Sequence, residues 1–80
     1  MTSVFVVHVE DHHVKPDRLE VYGTREAAIR RGQEIVKEYT HPEEGWTPAI
    51  LMARTGDVVM RAMLTQDGDC LEVTQMEVKS

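Results

Sequence analysis

The sequence predicts an α+β domain, a small antiparallel sheet with one helix packed on one face, in the order ββαβββ. Three observations predict it. Short alternating apolar runs lie near both ends, one central segment has a helical period, and Asp67-Gly68 joins two apolar runs in the second half. Eighty residues make one domain, 1–80.

Residues 3–10 read as the first strand. Phe5, Val7 and Val9 fall on one face, and Val6, His8 and Glu10 on the other. Asp11 to Asp17 reads as a loop, with Lys15-Pro16-Asp17 as turn chemistry. Leu19 and Val21 alternate with Glu20 and Tyr22 in a second strand, which Gly23 ends.

The helix follows. Thr24 is a good N-cap, and Glu26 lies in the first turn, where the helix dipole favours an acid. Ala28, Gly32, Ile35, Val36 and Tyr39 form one apolar stripe over about four turns. Arg30 and Glu34 stand at i, i+4 and are expected to pair. Gly32 lowers helix propensity by about 1 kcal/mol relative to alanine, so its place on the stripe predicts a close approach to the sheet. His41-Pro42 breaks the helix, and 42–45 reads as a loop.

Beyond Trp46 two readings compete. Thr47-Pro48 is able to start a helix over Ala49–Arg54, which gives ββααβ. Alternatively Ala49–Arg54 and Val58–Leu64 are strands, followed by a turn at 66–69 and a last strand Cys70–Val78. The turn residues favour the strands.

Composition narrows the function. Net charge is −5, and residues 41–80 hold seven acids against three bases. An acidic surface repels phosphate backbones, so nucleic acid is not an expected partner. No apolar run is long enough to span a membrane, and the first residues lack a signal-peptide layout. Cys70 is the single cysteine, which excludes an internal disulfide and fits a reducing, cytoplasmic setting.

Catalytic provision is thin, and no enzyme is expected. The two serines, Ser3 and Ser80, lie near the chain ends. Cys70 opens a strand, where a small packed residue is the ordinary role. No phosphate-binding glycine motif is present.

One cluster has ligand chemistry. His8, Glu10 and His12 share a side if the strand continues, and His13 follows; imidazoles and a carboxylate suit zinc. Alternate strand side chains stand about 7 Å apart, so three ligands from one strand fit poorly. Exposed polar residues beside a turn would give the same pattern.

Met52, Met60, Met63 and Met76 all lie in the second half, and methionine serves both cores and adaptable binding faces. One helix cannot cover every apolar position among Ile50, Met52, Val58, Met60, Leu64 and Val78. The sequence therefore suggests a small acidic protein-interaction module: an inhibitor or accessory subunit binding a larger protein, or a homodimer. Glu43, Glu44, Trp46, Asp67 and Asp69 are the candidate partner-binding residues, with Trp46 as the aromatic anchor.

Overall fold

A computed structural model describes residues 2–12, 16–40, 43, 48–52, 57–66 and 68–78. The element order is β1 (Thr2–Glu10), β2 (Arg18–Tyr22), α1 (Arg25–Glu38), β3 (Ala49–Met52), β4 (Val58–Met63) and β5 (Cys70–Val78). This is the ββαβββ order. Ala49–Met52 forms a strand, so the helical alternative does not hold there. Arg54 lies outside the described residues.

The five strands form one antiparallel sheet in the order β2-β1-β5-β4-β3. The long strands β1 and β5 pair along nine positions, from Thr2 with Val78 to Glu10 with Cys70. Register then fixes the faces. Val7 stands beside Val73 and Val9 beside Leu71, and all four are buried. Their alternates, including Val6, His8, Glu72 and Thr74, fall on the opposite face.

Helix α1 covers the first of these faces. The Thr24 hydroxyl accepts from the Ala27 N–H at 3.2 Å, as the N-cap reading requires. Ala28, Gly32, Ile35 and Val36 are buried against the sheet. A Cβ built on Gly32 would lie 3.1 Å from Met60 Cε and 3.4 Å from Leu71 Cδ2, which is the expected close approach. The pairing expected of Arg30 falls instead to Arg31. Its guanidinium donates to Glu34 at 3.3 Å and grips Glu20 of β2 at 2.9 and 3.4 Å.

A β-bulge between Val58 and Met60 lets Val59 and Met60 both bury. Met60 and Leu64, two of the positions expected to exceed the helix's reach, are core residues with no exposure.

Candidate functional site

One helix is about 10 Å wide, and five strands span about twice that. Helix α1 packs on β2, β1, β5 and β4, and makes no contact with β3 among the described residues. The opposite face of the sheet has no covering element among those residues. It carries Leu19 and Val21 on β2, Val4 and Val6 on β1, Met76 and Val78 on β5, Val58 and Met63 on β4, and Leu51 on β3. Leu19 is 64% exposed and Leu51 67%.

Charges on this face are engaged within the chain. The Arg61 guanidinium donates to Glu72 at 2.8 and 3.2 Å across the β4–β5 pair. His8 Nε2 lies 3.0 Å from Asp17 Oδ2. The Cys70 thiol points at Glu10 Oε2, 3.6 Å away. Burial, with this carboxylate second, pushes the Cys70 thiol above its ordinary range, which disfavours the reactive thiolate.

A second cluster closes one end of the core. Asp69 is 5% exposed, and its Oδ1 accepts the His12 main-chain N–H at 3.0 Å. His12 Nδ1 lies 2.6 Å from the same oxygen, and the Thr65 hydroxyl donates to Oδ2 at 3.0 Å. The His12 main-chain bond, followed by the ring bond, lowers the Asp69 pKa. Beside it, the Tyr39 hydroxyl donates to Asp11 Oδ2 at 2.7 Å. Burial first, and this bond second, push the Tyr39 pKa up to about 12. The recess between Val9, Asp11, Arg18 and Tyr39 holds about 20 Å³, close to one water.

The sequence-predicted ligands are divided by this geometry. His8 turns to Asp17, Glu10 to Cys70 and His12 to Asp69. His13 lies outside the described residues. Among those residues, the one group of three donors within 4.8 Å is Asp11, His12 and Asp69. Two carboxylates and an imidazole are suitable donors for a divalent metal. The shortest contact among them, however, already has the length of a charge-assisted hydrogen bond.

Among the predicted partner-binding residues, Glu43 is exposed, whereas Asp69 is buried. Glu44, Trp46 and Asp67 lie outside the described residues. Sequence reasoning missed Leu19, Val21 and Leu51 as surface groups, because only the strand register puts them on the uncovered face. No protein family, curated protein or solved structure matches the chain. Among the described residues, no helix is long and apolar enough to cross a membrane.

Proposed function

We propose that this chain is a non-enzymatic protein-interaction module that docks through the uncovered face of its sheet. One observation carries the reading: Leu19, Val21, Leu51, Met63, Met76 and Val78 are all exposed on that single face. Monomers expose single apolar side chains freely, but six exposed on one uncovered sheet face mark a contact surface. Cytoplasmic work as an inhibitor or accessory subunit fits this surface and the acidic charge.

Capture from cell extract by the immobilised chain tests the reading. Proteins enriched by the wild type should fall at least tenfold with Leu19→Glu/Leu51→Glu, while circular dichroism shows an intact fold. Equal capture by both chains would remove the face from the site. Trp46→Ala belongs in the same assay, since an aromatic anchor at an interface typically contributes about 2 kcal/mol or more.

A second reading rests on the Asp11, His12 and Asp69 donors. In it, the chain binds a zinc-type cation at these three residues. Calorimetric titration with zinc should then show binding that is lost in Asp11→Asn/His12→Ala. No heat at micromolar zinc would end this reading.

A further inference from the structure

The two outer strands of the sheet, β2 and β3, differ in how their free edges are guarded. A sheet edge presents unpaired main-chain N–H and C=O groups, which charged side chains or a covering helix ordinarily shield from other chains. β2 has both. Arg18 pairs with Glu38 at 3.6 Å, Arg31 grips Glu20, and α1 packs on the strand. β3 has neither among the described residues. Ala49, Ile50, Leu51 and Met52 are uncharged and all exposed, and α1 does not reach them. We infer that the free edge of β3 pairs antiparallel with the β3 edge of a second copy of this chain, joining two sheets into one.

The main chain decides the form of the occupant, and the side chains decide its sequence. An extended strand satisfies the outward N–H and C=O groups of an edge. Register fixes what that strand must carry. Leu51 stands beside Arg61 on the uncovered face, whereas Ile50 beside Ala62 and Met52 beside Met60 stand on the α1 side. Ile50 is 41% exposed and Met52 51%, so β3 is apolar and open on both sides of the sheet. An ordinary amphipathic strand would set polar groups against one of those sides. The matching strand is uncharged and apolar at successive positions, and Ala49–Met52 is itself such a strand.

A two-fold axis perpendicular to the sheet relates two such strands, so both helices lie on one side and residues of like facing oppose each other. Centred on Leu51, the pairing sets Leu51 against the partner's Leu51 on one side of the sheet. On the other side it sets Ile50 against the partner's Met52, twice. Every pair is apolar. Centring on Ile50 instead would bring Pro48, which has no N–H to donate, opposite the partner's Met52. The contact carries no charge of its own. The net charge of −5 on each chain then acts as a longer-range repulsion that salt screens.

Sedimentation velocity on the full chain at about 200 µM tests this, because a dimer with a Kd of about 10 µM is mostly formed there. The wild type should sediment as a dimer, and its Kd should fall as added salt screens the repulsion. Ile50→Lys and Leu51→Lys should each raise the Kd at least tenfold; Ile50→Thr and Leu51→Thr serve if a lysine variant fails to fold. Leu19→Glu, at the far edge of the sheet, should leave the dimer intact. A cross-link reads the register directly. In a Cys70→Ser background, Leu51→Cys should oxidise to a disulfide-linked dimer with copper phenanthroline, since opposed Cα atoms lie about 4.5–5.5 Å apart. Ala49→Cys should not, because its two copies stand four residues out of step, about 13 Å along the strands.

A wild-type monomer overturns the inference, and so does a dimer indifferent to Ile50→Lys and Leu51→Lys. A dimer broken by Leu19→Glu alone would seat the copy on the uncovered face and overturn the edge pairing. Equal cross-linking of Leu51→Cys and Ala49→Cys would overturn it as well. The docking face proposed above is tested separately, since Ile50 lies on the α1 side. Extract capture lost in Leu19→Glu/Leu51→Glu but kept in Ile50→Lys leaves that face standing even where the wild type is a monomer and the edge pairing falls.

Discussion

Asp69 and His12, from opposite ends of the chain, meet through two bonds to one carboxylate oxygen: a main-chain N–H at 3.0 Å and the ring Nδ1 at 2.6 Å. Asp69 also binds the Thr65 hydroxyl, and its own carbonyl accepts the Leu64 N–H at 2.7 Å. One carboxylate thus joins the β4–β5 turn to the exit of β1.

Removing the two partners should therefore have unequal effects. Asp69→Ala strands a main-chain donor and a hydroxyl, and should lower Tm by roughly 5 °C or more. His12→Ala keeps the main-chain bond and loses only the ring, so its drop should be less than half as large. Thermal unfolding followed by circular dichroism measures both. Equal drops would show that the carboxylate's main-chain bond contributes nothing.

Two depressed carboxyl groups predict an acid limb to stability. Glu20 is lowered mainly by hydrogen bonding to Arg31 and then to the Tyr22 hydroxyl; Asp69 is lowered mainly by the His12 main-chain N–H. A carboxyl with a depressed folded pKa stabilises the fold above its unfolded value. That stability is lost as pH falls through the folded value. Urea midpoints should therefore be flat with respect to these groups above about pH 6. They should fall as pH drops through the ordinary values of 4.5 for Glu20 and 3.8 for Asp69. Glu20→Gln and Asp69→Asn should each flatten the limb. An unchanged limb in the double variant would assign the acid sensitivity elsewhere.

The fold was largely legible because its signals are local. Thr24 announces the helix, the Ala28–Gly32–Ile35–Val36 stripe gives its buried side, and Asp67-Gly68 marks the last turn. Gly68 has φ +100°, a conformation that favours glycine. The candidate sites were less legible because register and long-range pairing create them. Nothing local shows that Leu19 stands beside His8 on the face α1 leaves uncovered, or that Asp69 turns inward to His12. Met60 and Ala62 take their buried face from the regular pairing with Val73 and Leu71, whereas the bulge at Val59 turns Val58 to the uncovered face, a shift the sequence does not signal.

Gly32 should tolerate alanine better than valine. Alanine gains about 1 kcal/mol of helix propensity over glycine, set against contacts of 3.1 Å to the end of the Met60 side chain and 3.4 Å to Leu71. The flexible thioether is able to yield by a few tenths of an ångström, so Gly32→Ala should change stability by less than about 1 kcal/mol. Valine adds two methyl groups at the same point and stiffens χ1, so Gly32→Val should destabilise by about 2 kcal/mol. Urea unfolding of the two variants checks the difference. Similar stabilities would mean that α1 is free to lift from β4 and β5.

Tyr39 predicts an alkaline limb of opposite sign to the acid one. Its pKa is pushed up to about 12, by burial first and by the bond to Asp11 second, against an ordinary value of 10.0. At pH 10 to 12 the unfolded chain loses the phenolic proton while the folded chain keeps it. Stability contributed by Tyr39 is therefore complete below pH 10 and declines as pH rises toward about 12. Tyr22, raised mainly by its bond to Glu20, adds to the same decline, and Cys70 begins it earlier, from an ordinary value of 9.0. Tyr39→Phe removes one titrating group and should make the limb shallower without abolishing it; Tyr22→Phe should remove a further part. Urea midpoints measured from pH 9 to 12, alongside the ultraviolet titration of tyrosinate in the folded chain, separate these contributions. A Tyr39→Phe limb as steep as the wild type's would show that Tyr39 titrates alike in the folded and unfolded chain.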